Sequence, residues 1–328
     1  MDAKKYKIGV VGMGPIGQVL AVHFQEAGCE VVVCDNDKDK MALIRKAGVK
    51  LEGKIKKSSF FNHAYTSLTE FRPHDLDMVF FCIKSTHTDH IGEEFKTLDN
   101  GKICAISAQN GIDIENKYSD VIGESRTLRI VLNFAGNLHS PNVVNVTFFN
   151  PPNFIASMDD SQEEMANWTA EILNSVSLVT EMSDSFSMIK KIWEKTILNA
   201  ALSALCAISK LTMREAMSTA DIIEIVEQTI IEAVEVAGKE DIRFCDNFVK
   251  ICLRYLKKGG DHFPSLAVDF LNKRETEIDY FNGKIVEYGR KHYVRTPLNL
   301  TFTNLVKAAT SKNKTFNIYQ KVDPEMIL

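Results

Sequence analysis

No segment of this 328-residue chain approaches the run of about 18 apolar residues that a membrane-spanning helix needs, so no membrane span is expected. The seven cysteines, at 29, 34, 82, 104, 206, 245 and 252, include no CxxC pair. Most lie in apolar runs and read as small core residues of a reducing compartment, which excludes a disulfide framework and a zinc site. No metal is expected. No sustained basic stripe offsets the net charge of −4, so a nucleic-acid partner is not expected either. The Lys-rich stretch Lys50–Lys57 reads as a solvated ribbon or loop. The opening Met1-Asp2-Ala3-Lys4-Lys5 has neither the apolar stretch nor the cleavage site of a signal peptide, and a cytoplasmic location is expected.

Ordinary proportions fill the rest: 45% hydrophobic and 25% charged residues suit a globular protein. A chain of this length suggests two domains, expected at 1–182 and 183–328. The first alternates strands and helices. Lys7–Val11 is a short β-branched run ending at Gly12-Met13-Gly14-Pro15-Ile16-Gly17. A helix from Gln18 to Glu26, a stop at Gly28 and a strand Glu30–Cys34 complete a βαβ unit with G-x-G-x-x-G in its first turn. Gly12 allows the tight turn, Gly14 lets a pyrophosphate approach the backbone, and Gly17 permits close packing of helix on strand. The pyrophosphate then meets the helix N-terminus, with Met13, Pro15 and Ile16 beside it.

Asp35 closes the second strand, eighteen residues after Gly17. A carboxylate there accepts the adenosine ribose hydroxyls and repels a 2′-phosphate, which favours NAD over NADP. Asp35-Asn36-Asp37 is also good turn chemistry, and Lys38 and Lys40 stand close enough in sequence to neutralise a phosphate. Asp77–Ile83 and Lys102–Ser107 are the next strands, ending in Lys84 and in Gln109-Asn110-Gly111. Ligands of open parallel sheets lie beyond the carboxyl ends of the strands, which puts Lys84 and Asn110 at the nicotinamide half of the cofactor. The plainer alternatives are a solvated loop lysine and a simple Asn-Gly turn. Arg129–Asn133 and Val143–Phe149 read as further strands, the second with antiparallel pairing. Glu163–Ser175 reads as a helix and Leu178–Thr180 as a last short strand.

From Phe186 onward helical periodicity takes over. Ser187–Ile208 carries a broad apolar surface into which Lys195, Asn199 and Ser203 are set at successive i+4 positions. Such a stripe either faces a cleft or is fully hydrogen-bonded within the fold. Helices are also expected at Asp221–Ala237, Asp246–Lys258 and Pro264–Tyr288, the last being the longest. On one continuous helix Ser265 and Glu277 would sit about 120° apart at 3.6 residues per turn, so their convergence requires a bend or Ser265 at the helix end. Arg295–Asn299 reads as a helix-breaking turn before a final helix Leu300–Thr310, and Asn313–Leu328 as a poorly ordered tail.

The ordered set Ile83-Lys84, Gln109-Asn110-Gly111, Trp193-Glu194-Lys195 with Asn199, Pro264-Ser265, Thr276-Glu277-Ile278-Asp279 with Asn282-Gly283, and Thr296-Pro297-Leu298-Asn299 resembles the ketopantoate reductase family from about Lys7 to Ala309. The resemblance implies an α/β fold, an N-terminal Rossmann dinucleotide-binding domain followed by an all-helical domain. It implies NAD(P)H-dependent reduction of 2-dehydropantoate to (R)-pantoate, on the way to pantothenate and coenzyme A. A homodimer is expected separately, with long helices such as Asp221–Ala237 able to supply its face. The resemblance makes Lys195 the general acid, with Glu277 bonded to Lys195 or to the product hydroxyl. Asn199 would orient the substrate, Ser265 would bind its hydroxyl or carboxylate, and Lys84 and Asn110 would line the nicotinamide side.

Two departures bear on substrate and cofactor. Ser203 stands where many members carry a second Asn, and Asp35 where many carry a basic or neutral residue. They leave open a D-2-hydroxyacid dehydrogenase of the same frame, acting on another branched or bulky 2-oxo acid. A nucleotide-binding regulator without catalysis is the alternative from another class, and Lys195, Asn199, Ser265 and Glu277 argue against it.

Overall fold

The computed structural model describes residues 6–315. The chain divides into two compact units, one running to Ile192 and the other from Trp193.

In chain order the first unit contains β1 (Lys7–Val11), α1 (Pro15–Glu26), β2 (Glu30–Cys34), α2 (Lys38–Ala47), β3 (Val49–Gly53), β4 (Lys57–Ser59), β5 (His63–Tyr65), β6 (Met78–Phe81), α3 (Thr88–Lys96), β7 (Cys104–Ser107) and α4 (Asn116–Ile122). It continues through β8 (Thr127–Val131), β9 (Phe134–Ser140), β10 (Val143–Phe149), β11 (Asn153–Ser157), α5 (Glu163–Ser175) and β12 (Thr180–Met182) into the start of α6 (Ser185–Ser209). The main sheet has eight strands in the order β12-β11-β8-β7-β6-β1-β2-β5. The six from β8 to β5 run parallel, and β11 pairs antiparallel to β8. Strands buried on both faces need no alternation, and all four residues of β6, Met-Val-Phe-Phe, are buried.

A second sheet, β4-β3-β10-β9, corrects one sequence expectation and bears out the antiparallel pairing expected of another strand. Lys50–Lys57 is not a free ribbon: it forms most of the β3–β4 hairpin, with Leu51 and Ile55 buried beneath its lysines. Val143–Phe149 pairs antiparallel with Phe134–Ser140 inside this second sheet. Helix α1 packs against strands of both sheets, which explains why Val19–Phe24 is buried all round. The final short strand lies two residues later than the sequence suggests, at Thr180–Met182.

Among the described residues of the second unit every regular element is helical: the rest of α6, then α7 (Met213–Ala216), α8 (Ala220–Lys239), α9 (Phe248–Lys257), α10 (Ser265–Leu271), α11 (Asn282–Lys291) and α12 (Pro297–Thr315). The expected long helix Pro264–Tyr288 does not exist as one piece. Asn272 turns its side-chain amide onto the Val268 carbonyl (2.7 Å), Lys273 adopts φ +58°, and the Arg274 N–H bonds the Asp269 carbonyl (2.8 Å). The left-handed residue terminates the helix, and a 3-10 turn, Ile278–Tyr280, precedes α11. The expected turn at Arg295–Asn299 is also displaced, because Pro297 opens α12 instead of interrupting it. Asn313–Thr315 continue that helix; the rest of the tail expectation lies outside the described residues.

Candidate active site

In the first unit the glycine-rich loop leaves the carboxyl end of β1. Gly12 has φ +91°, and a Cβ there would lie 2.8 Å from the Ile83 backbone nitrogen. At Gly17 a Cβ would lie 2.0 Å from the Gly12 carbonyl oxygen, so only glycine lets α1 pack this close. Gly14 differs: a Cβ built on it meets nothing within 4 Å. Its surroundings are open, as a pyrophosphate approach requires. Gly14 is the N-cap of α1, without a side-chain cap, and no acidic residue occupies the first turn. The helix N-terminus therefore presents backbone N–H groups to an anion. These residues fit a dinucleotide.

Asp35 both follows and modifies expectation. Its Oδ2 accepts the Met13 N–H at 2.8 Å and the Lys40 ammonium at 2.9 Å, while Oδ1 accepts the Asp37 N–H at 3.0 Å. The turn chemistry of Asp35-Asn36-Asp37 is thus realised. Lys40 and Asp35 are largely enclosed, with side chains 13% and 11% exposed, so their opposite charges compensate each other. The carboxylate is less free to repel a phosphate than the sequence implies.

Lys84 follows β6 and is exposed; Asn110 follows β7 and is half-buried. Because β7, β6, β1 and β2 are neighbours in the sheet, Lys84, Asn110, the glycine loop and Asp35 collect at one edge. Ser85 links two of these loops by donating Oγ–H to the Asn110 carbonyl (2.7 Å).

In the second unit α6 carries Lys195 and Asn199 half-buried and Ser203 buried. Their neighbours Thr196, Ile197, Ala200, Ala201, Leu202 and Ala204 are all buried, so the stripe lies in the packed part of the helix. Asn282 fixes that segment by donating to the Ala200 carbonyl (3.0 Å) and to Asn299 Oδ1 (3.0 Å). Asn299 in turn donates to Glu232 (2.8 Å), whose two oxygens also accept the N–H groups of Leu298 and Asn299. The Asn282-Gly283 and Thr296–Asn299 motifs therefore build the frame of α6. Ser265 opens α10 and is exposed, whereas Thr276 and Glu277 are buried at the end of the break before the 3-10 turn. The break supplies the bend that a single helix lacked.

Buried charged residues stand outside the set that the sequence singles out. Asp269, one turn after Ser265, is 5% exposed, with Arg274 at 3.5 Å. Arg129 lies inside β8, buried with Glu115 at 3.1 Å. The available signal was a charged residue within the apolar run Thr-Leu-Arg-Ile-Val.

Residues 8–158 match the family described as ketopantoate reductase PanE/ApbA, and residues 187–310 match its C-terminal region. The chain belongs to the ketopantoate reductase family. It is an oxidoreductase that uses a nicotinamide dinucleotide. It is similar to 2-dehydropantoate 2-reductase of Pyrococcus abyssi, 25% identical over 92% of this chain and 97% of that one. Three solved structures share the fold. A ternary structure of D-mandelate dehydrogenase with NADH and anilino(oxo)acetate has a TM-score of 0.83, 23% identity and coverage of 94% and 100%. A PanE/ApbA family ketopantoate reductase of Ralstonia eutropha has a TM-score of 0.84, 22% identity and coverage of 94% and 99%. A dimeric ketopantoate reductase of Staphylococcus aureus has a TM-score of 0.76, 16% identity and coverage of 94% and 99%. Among the described residues no helix is long and apolar enough to cross a membrane.

Proposed function

We propose that this family member reduces 2-dehydropantoate to (R)-pantoate, with Lys195 as general acid and NADH preferred over NADPH. The observation that carries the reading is the Lys195-Asn199-Ser203 stripe set among buried apolar residues of α6. A polar line in that setting costs free energy unless it has a task or a partner.

A nicotinamide dinucleotide held at the glycine-rich loop Gly12–Gly17 would supply the hydride for the ketone carbon. The carbonyl oxygen then gains charge and takes a proton from the Lys195 ammonium, which is restored from solvent. A lysine suits this step because it contributes both the proton and positive charge to the developing alkoxide. Glu277, a buried carboxylate, would orient that ammonium or accept the product hydroxyl. Asn199 and Ser265 would hold the hydroxyl and carboxylate ends of the substrate. Lys84, at the edge of the first unit, offers a positive charge to an anionic substrate, and Asn110 would meet the carboxamide end of the cofactor.

The NADH preference rests on Asp35, which closes β2 and compensates the charge of Lys40 at 2.9 Å, and it agrees with the NADH carried by the D-mandelate dehydrogenase structure. A homodimer and a cytoplasmic location belong to the same reading. A dimeric relative supports the first, and seven free thiols support a reducing compartment.

Ser203 favours a second reading, a D-2-hydroxyacid dehydrogenase acting on a branched or bulky 2-oxo acid, because a serine reaches less far than a second asparagine. Kinetics on 2-dehydropantoate and on 2-oxo acids lacking its 4-hydroxyl, each with NADH and NADPH, separate the two. The first reading requires 2-dehydropantoate to lead by more than about tenfold in kcat/KM, as a site with polar groups matched to a hydroxyl should ensure. Equal rates without the hydroxyl would transfer the assignment to the second.

A further inference from the structure

We propose that Arg129 is a positioning residue that aims Asn110, and that it does so by gripping the backbone on both sides of it. The proposal rests on the reading that Asn110 meets the nicotinamide end of the cofactor.

Arg129 sits in β8 opposite Ser107 of β7, and its side chain is 3% exposed. One guanidinium nitrogen, Nη2, donates to the carbonyls of Gln109 (2.6 Å) and Gly111 (3.0 Å). The other, Nη1, donates to Ser107 Oγ (2.8 Å) and Glu115 Oε2 (3.1 Å). The carbonyl between, that of Asn110, accepts Ser85 Oγ–H at 2.7 Å. Three successive carbonyls of one loop are thus each held by a side chain. The Gln109 side chain completes the lattice, donating to Thr88 Oγ1 (2.8 Å) and accepting the Tyr118 hydroxyl (2.8 Å). Thr88 bonds back to the Ser85 carbonyl (2.9 Å).

Physical chemistry explains the choice of residue. The loop lies beyond the sheet ladder, so its inward carbonyls need donors from elsewhere. Only a guanidinium offers several donors in a fixed planar fork; an ammonium is a single point charge on a flexible stem. A buried ion pair such as Arg129–Glu115 is not required for stability, since well-packed apolar residues often serve as well. What it adds here is direction: the Asn110 backbone cannot rotate without breaking bonds at residues 109, 110 and 111. Asn110 itself stays half-buried at the sheet edge.

The test compares four full-length proteins: wild type, Arg129→Lys, Asn110→Ala and the double variant. Circular dichroism and the thermal midpoint establish folding, and hydrogen exchange without cofactor reports on the loop. Arg129→Lys should speed exchange across residues 109–111 while β1 and β6 stay protected. Turnover of the best 2-oxo acid should fall about 100-fold, the scale of a misplaced group about 1 Å from its working position. The double variant should be no slower than the slower single variant, because both act through one side chain. If Arg129→Lys does not fold, Ser85→Ala replaces it, with the same loop exchange and the same non-additivity expected. Losses that multiply in the double variant, or wild-type turnover in Arg129→Lys, would overturn the proposal. Wild-type kinetics in Asn110→Ala alone would retire the reading of Asn110 itself, and the positioning role with it.

Discussion

The carboxylate of Asp35 accepts the backbone N–H of Met13 at 2.8 Å, so the residue closing β2 is tied to the glycine-rich loop closing β1. The same oxygen accepts Lys40 at 2.9 Å. One side chain therefore shapes the pyrophosphate loop and restrains Lys40.

Replacing Asp35 should change cofactor choice and not only affinity. Asp35→Ala leaves Lys40 with only the longer contact to Asp37 at 3.9 Å and makes it available to a 2′-phosphate. The ratio of kcat/KM for NADH over NADPH should drop by about tenfold or more, the scale of one charge-assisted contact of ~1.4 kcal/mol. Lys40→Ala should move the ratio the opposite way. An unchanged ratio in both variants would remove this pair from cofactor selection.

The glycines should separate cleanly by readout. Gly17→Ala drives a Cβ to 2.0 Å from the Gly12 carbonyl oxygen and should lower the thermal midpoint and expression. Gly14→Ala meets no protein atom and should fold normally while weakening NADH binding by about tenfold or more, since the new methyl occupies the pyrophosphate approach. Fluorescence titration beside thermal melts decides it; a Gly14→Ala protein with intact NADH affinity contradicts the assignment.

For Lys195 the expected signature is a loss in kcat with folding intact. Lys195→Ala should reduce turnover by about 100- to 10,000-fold, the range of a general acid, while NADH affinity stays near that of the wild type. Turnover retained at the wild-type level in a folded Lys195→Ala protein excludes the role.

The Asn282–Asn299–Glu232 frame predicts a stability defect away from any ligand. Asn299→Ala strips one acceptor from Asn282 and two donors from the Glu232 and Thr229 oxygens. Asn282 and Glu232 each keep another bond, so each lost hydrogen bond costs about 0.5–1.5 kcal/mol and urea unfolding should shift by at least about 1 kcal/mol. A shift below about 0.5 kcal/mol, the level of a neutral surface change, would show that water satisfies these groups.

His23 sets an acid limit on stability. It is wholly buried in α1 with Nδ1–H donated to the Val19 carbonyl at 2.7 Å, and burial pulls its pKa down to about 4. The unfolded chain titrates near the ordinary histidine value of about 6.5 and binds the proton first, so stability is full above that pH and declines as pH falls towards about 4. A shift of this size corresponds to an order of ~3 kcal/mol. Chemical unfolding at pH 7 and pH 5 should show the decline in wild type and a smaller one in His23→Leu; equal declines in both place the acid sensitivity elsewhere.

Much of the site was legible because its chemistry is local in sequence. Gly12, Gly14 and Gly17 announce a loop whose geometry is set within six residues, and Lys195, Asn199 and Ser203 announce one helical face by spacing alone. The sequence places Arg129 at the start of a strand, yet it lies at the centre of β8, and the carbonyls it holds are eighteen and twenty residues away. Nothing in its immediate neighbourhood specifies them. The break after Leu271 is not legible because Pro264–Tyr288 has enough helical periodicity to continue, and only the folded chain shows Lys273 at φ +58°.

The sequence alone determined the fold class, the dinucleotide loop and the residue types of the candidate site, since these follow from short-range spacing and apolar periodicity. Tertiary structure alone decided the second sheet, the bend between Ser265 and Glu277, the pairing of Asp35 with Lys40 and the grip of Arg129 on its loop. Each of those rests on burial and hydrogen-bond geometry, which exist only once the chain has packed.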